Sequence, residues 1–88
     1  MLIVDTDKNG TLESILLLLT PSEAKELAGS AADLSAHPEK HHHHINDATF
    51  EREITIAVYT PDNIAEFSND LRPLIRREML KQDADRDK

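Results

Sequence analysis

The chain has 88 residues, no cysteine, and Phe50, Tyr59 and Phe67 as its aromatic residues; 10 basic against 17 acidic side chains leave a formal net charge of −7. That length fits one small domain with a thin core. The composition excludes disulfides and thiolate chemistry, offers no aromatic platform for single-stranded nucleic acid, and sets an acidic surface against nucleic acid and anionic membranes.

The charge is uneven. Through Asp70 there are 4 basic and 13 acidic residues, a net of −9; from Leu71 onward there are 6 basic and 4 acidic, a net of +2. An acidic body suits encounter with a basic protein. No apolar run approaches the ~20 residues that span a bilayer. Met1 leads directly into LIVD without a basic n-region, so no signal peptide is expected and the cytoplasm is the expected compartment.

Taken in chain order, MLIVD reads as a short strand. Asn9-Gly10 is a strong two-residue hairpin signal, because a type I′ turn needs positive φ at both central positions. With those two residues as the turn, Lys8 faces Thr11, Asp5 faces Ser14, Val4 faces Ile15, Ile3 faces Leu16 and Leu2 faces Leu17. The stretch DTDKNGTLES also imitates a calcium loop. Asp5, Asp7, Asn9 and Gly10 occupy ligand and turn positions, but position 12, which needs a bidentate Glu, is Leu16, and no entering helix precedes Asp5. The hairpin is the stronger reading, with no calcium bound.

Leu12–Leu19 reads as the second strand, with Ile15, Leu17 and Leu19 on one face and Leu12, Leu16 and Leu18 on the other. A strand apolar on both faces needs cover on both, so a homodimer is expected, built on this exposed face or on the C-terminal helix. Thr20 then caps a helix, with Pro21 at its first position and Glu23 completing a capping box. The expected helix, Ser22–Ala36, carries Ala24, Leu27, Ala28, Ala31 and Leu34 on one stripe. Gly29 within it implies close approach or a weak spot, and Pro38 ends it.

A second hairpin follows: a strand over His41 to Ile45, a turn in NDATFE, and a strand over Glu53 to Tyr59 with Ile54, Ile56 and Val58 on its apolar face. Thr60-Pro61 repeats the Thr-Pro start for a short helical turn. A last helix, Leu71 to Lys81, presents Leu71, Leu74, Ile75 and Met79, with Pro73 in its first turn. Residues 83–88 read as a polar tail after a single domain over 1–82. The expected fold is α+β, ordered ββαββ and then α, with an antiparallel sheet carrying the first helix on one face.

His41 to His44 is the one cluster with chemical potential. On a strand, His41 and His43 share a face and could pinch a zinc, copper or nickel ion, with Glu51, Glu53 or Asp47 as a third ligand. The competing reading is a solvated run, or one that responds to pH near 6. Catalysis finds little support. There is no phosphate loop and no nucleophile elbow, and His37 beside Asp33 or Glu39 reads as a helix-end histidine. No cofactor is expected.

LTPSEAKELAGSAADL, HHHHIND and REITIAVYTPDNIAEFS together resemble the pattern of small bacterial immunity proteins from polymorphic toxin loci, nearest to the immunity protein 32 family. The likeness runs from about Leu12 to Ser68. It implies a non-enzymatic protein that binds and blocks a toxin, and it carries no catalytic residues over. On this reading the contact surface includes Glu39, Asp47, Glu51 and Glu53, with the histidines beside them. The alternatives are a metal- or pH-responsive binding protein using His41–His44, and a structural homo-oligomer subunit.

Overall fold

A computed structural model describes residues 1–8 and 10–86, with the side chains of 83–86 left aside. The protein is α+β. Its strands are β1 (Ile3–Asp5), β2 (Gly10–Leu12), β3 (His42–Asn46) and β4 (Glu53–Ala57), and its helices are α1 (Pro21–Ala36) and α2 (Arg72–Arg86). The strands form two separate antiparallel pairs, β1–β2 and β3–β4, where a single sheet was expected. The chain divides into two compact units, a first of Met1–Leu16 with Ile64–Lys88 and a second of Leu17–Asn63.

In the first hairpin Ile3 pairs with Leu12, Val4 with Thr11 and Asp5 with Gly10. This corrects the expected register, which set Ile3 against Leu16. Asp5 is the reason. Its Oδ1 accepts the backbone N–H of Asp7 at 3.0 Å and of Lys8 at 3.3 Å, an Asx-type turn that bends the chain at once after Asp5. The loop therefore begins at Thr6, and Gly10 becomes a strand residue opposite Asp5; Asn9 lies outside the described residues. The expected strand over Leu12–Leu19 is corrected as well. Beyond Leu12 the chain lies outside any ladder, and Ile15 to Leu18 are exposed.

In the second unit, α1 starts as the sequence dictates. The Thr20 hydroxyl accepts the Glu23 N–H at 3.2 Å, and Glu23 Oε1 accepts the Thr20 N–H at 2.9 Å, a complete capping box with Pro21 as first helical residue. The helix packs on β3 and, less extensively, on β4. Its covered stripe is Leu27, Ser30 and Leu34 with Asp33 at the border, whereas Ala24, Ala28 and Ala31 face solvent. The expected stripe is thus rotated, and the rotation brings Asp33 within reach of β3. Leu34 is fully buried, and Ile45 on β3 is buried. A Cβ added at Gly29 would meet nothing within 4 Å; the glycine is a weak spot rather than a point of close approach.

β3 and β4 pair from His42↔Ala57 to Asn46↔Glu53. Ile54, Ile56 and Val58 are partly covered, while Glu53, Thr55 and Ala57 are exposed, as the period-2 pattern requires. The second Thr-Pro start gives a turn and then the single 3-10 turn Ile64–Glu66, in keeping with the short helical turn expected. Asn63, buried, accepts the Thr60 N–H at 2.8 Å and donates to the Val58 carbonyl at 2.8 Å. Its short amide takes the place Glu23 holds in the first start, and it ties the chain back to Val58 rather than opening a helix.

In the other unit, α2 follows a 3-10 turn at Ile64–Glu66. Ile75 is buried, with Leu71, Leu74 and Met79 partly covered. The helix continues through Arg86, past the Lys81 end expected for it, so the expected tail is helical through its first four residues. The Met1 ammonium donates to Glu78 Oε1 at 2.9 Å and holds that carboxyl below its ordinary range.

Candidate functional site

The polar cluster of the second unit grows out of the rotation of α1. Asp33 projects toward β3, and its Oδ2 stands 2.7 Å from His43 Nε2. Lys40, in the 3-10 turn Pro38–Lys40, donates from Nζ to both Asp33 oxygens at 3.0 and 3.1 Å. One carboxylate thus gathers three elements. Its pKa is lowered by the hydrogen bond from Lys40 first and by that from His43 second, against partial burial.

The Pro38–Lys40 turn closes on His41, whose backbone sits at φ 79° and ψ −62°, a strained region for a side chain with a Cβ. That conformation removes His41 from the strand. Its Nδ1 lies 2.6 Å from Nδ1 of His42, and the two rings meet edge to face. His42 and His44 share the outer face of β3 with ring centroids 4.7 Å apart. His44 Nδ1 is 3.0 Å from the Thr55 hydroxyl and contacts Glu53 Oε1, and Thr55 in turn donates to Glu53 at 3.2 Å. His43 and Ile45 point the other way, toward the covered side.

This arrangement separates the residues that strand alternation would place together. His41 joins His42 and His44, while His43 is engaged by Asp33. Among the described residues no group of three or more His, Asp or Glu side chains stands where it could hold a metal ion. The His37 ring pairs with Glu39 at 3.2 Å, while its backbone N–H donates to the Asp33 carbonyl at 2.8 Å; the Glu39 carboxyl is lowered by its own backbone N–H first and then by His37.

The four acids expected to meet a partner divide as well. Asp47 holds the β3–β4 loop: its Oδ1 accepts the N–H of Glu51 at 2.8 Å and of Arg52 at 3.3 Å, and its backbone N–H donates to the Arg52 carbonyl. Partial burial alone would raise its pKa, but the Arg52 and Glu51 amides together outweigh it and leave the carboxyl lowered. Glu39, Glu51 and Glu53 are exposed. The same loop carries a residue that the sequence pattern did not mark. Phe50 sits at φ 57° with 78% of its surface exposed, its N–H bonded to the Asp47 carbonyl at 3.1 Å. An aromatic in the left-handed region is uncommon, and no local motif in NDATFE announces it. Asp33 was likewise visible only as one acid among several, because its role depends on the angle of α1.

The fold and cluster define a small α+β chain with an imidazole–carboxylate face and an acidic hairpin tip. Comparison with protein-family models, with characterised proteins and with solved structures found no match. No helix among the described residues is long and apolar enough to cross a membrane.

Proposed function

We propose that this chain acts in the cytoplasm by binding another protein, a bacterial toxin encoded beside it, and that it neutralises this toxin without catalysing a reaction. One observation carries the reading: the tip of the β3–β4 hairpin holds Phe50 outward in a left-handed conformation, beside the exposed acids Glu51 and Glu53. An aromatic held clear of the fold by a carboxylate-braced loop is the kind of anchor that dominates protein interfaces. The flanking carboxylates, on a body of net −9 through Asp70, speed encounter with a basic partner. Glu39 extends this acidic surface, whereas Asp47 serves it by bracing the loop.

Co-expression with each neighbouring gene product tests the reading. A neighbour that is toxic alone, is tolerated with this chain and co-purifies with it supports it; the absence of any such neighbour removes it. With a partner in hand, Phe50→Ala should weaken binding at least tenfold through faster dissociation. Glu51→Lys with Glu53→Lys should slow association and flatten its salt dependence.

A second reading, a pH-responsive binding protein, is favoured by the 2.7 Å pair of His43 and Asp33 that joins β3 to α1. A partner-binding titration across pH 5 to 8 would separate it from the first.

A further inference from the structure

Ile15–Leu19 is the most apolar run in the chain, and it is uncharged from Ser14 through Ser22. It lies in no strand, and its exposure alternates: 52% at Ile15, 81% at Leu16, 43% at Leu17 and 85% at Leu18. That period of two is the signature of an extended chain. Among the described residues, the backbone from Ser14 to Leu19 makes no hydrogen bond. A row of free N–H and C=O groups flanked by leucines is a template for another strand.

We infer that Ile15–Leu19 pairs with the same segment of a second copy, antiparallel, about a two-fold axis through Leu17. The sequence selects both occupant and register. In this register Ile15 stands opposite Leu19 of the second copy, Leu16 opposite Leu18 and Leu17 opposite Leu17, so every position is apolar against apolar. Moving the axis to Leu16 would set Glu13 against Leu19 and Ser14 against Leu18. The pairing ends by itself at Thr20, whose N–H is already given to Glu23, and at Pro21, which has none to give. A second copy carries the same net −7 and would be repelled over most of its surface, yet here neither strand brings a charge to the contact. The result is a closed isologous contact, the commonest form of dimer. The Leu16 and Leu18 side chains of both copies form one cross-strand cluster on it.

The absence of cysteine makes the register directly testable. Directly opposed antiparallel residues lie ~4.5–5.5 Å apart at Cα, within disulfide range. Under mild oxidation Leu17→Cys should give a linked dimer at least tenfold faster than Ile15→Cys alone. An equimolar mixture of Ile15→Cys and Leu19→Cys should link where neither does by itself. Light scattering at ~100 μM, well above the dissociation constant of a specific dimer, should give twice the 9.9 kDa chain mass. Leu17→Pro should return it to monomer with its helical circular dichroism unchanged; should that variant unfold, the cross-linking pattern decides. A monomer at ~100 μM, equal cross-linking at positions 15 and 17, or species larger than a dimer would each overturn the inference. All of these use the protein alone, so their failure leaves toxin binding untouched.

Discussion

The two hairpins are built on one device and end differently. Each turns on an aspartate whose Oδ1 accepts two backbone N–H groups: Asp5 takes those of Asp7 and Lys8, Asp47 those of Glu51 and Arg52. The first ladder stops after three pairs, although the residues beyond it, Ile15–Leu19, are the most strand-like in the chain by hydrophobicity. The second runs to five pairs through HHHIN, a sequence with little strand preference beyond its isoleucine. What distinguishes them is cover. α1 lies on β3 and β4 and buries Ile45, whereas every residue of β2 is exposed. Strand persistence in this protein follows the covered face rather than the propensity of the chain.

The sharpest way to break this comparison is to remove the cover. Ile45→Ala should cost about 2–5 kcal/mol, the range for emptying a buried aliphatic site, and Leu34→Ala on the facing helix should fall in the same range. Leu12→Ala, at a half-exposed position of β2, should cost less than about 1 kcal/mol. Urea melts of the three variants provide the check; equal losses at Ile45 and Leu12 would mean that cover is not what separates the hairpins.

Much of this was legible in the sequence, and the exceptions share a cause. The Thr20 capping box, the extent of α1, the alternation in β4 and the apolar stripe of α2 all follow from local chemistry and periodicity, and all stand. The register of the first hairpin did not follow, because Asn9-Gly10 and Asp5 each propose a turn and only the carboxylate–amide bonds of Asp5 decide between them. The face α1 buries follows its large side chains, Leu27 and Leu34, because Ala24, Ala28 and Ala31 are too small to dictate orientation. The histidine cluster was legible as a group but not as a geometry. The positive φ of His41 sets its ring against His42, and no spacing rule encodes that.

Strengthening the covering element should sharpen the comparison in the opposite direction. Gly29→Ala places a methyl in open space within an exposed turn of α1, and should raise stability by about 1 kcal/mol. Amide exchange should show the added protection in β3 and β4 rather than in β1 and β2.

The smallest expected effect is electrostatic. Folding lowers the Asp33 pKa, chiefly through Lys40 and then His43. Its contribution is therefore fully present above the ordinary carboxylate value of about 4, and is lost as pH falls through the lower folded value. Thermal melts of Asp33→Asn should show a shallower loss of stability below pH 4 than the parent. Glu39, Asp47 and Glu78, also lowered, should keep the acid limb from vanishing. An unchanged slope would separate Asp33 from the linkage of α1 to β3.

The bare leucine segment also bears on how long the protein survives in a cell. An extended backbone with five apolar side chains in a row is what quality-control machinery grips in a chain that has failed to fold, and here the folded protein displays one. On the inferred pairing, each newly made copy meets that surveillance until another copy covers the segment, and the wait shortens as copies accumulate. Abundance should therefore climb more steeply than synthesis rate at low expression, and Leu16→Ser with Leu18→Ser should restore proportionality.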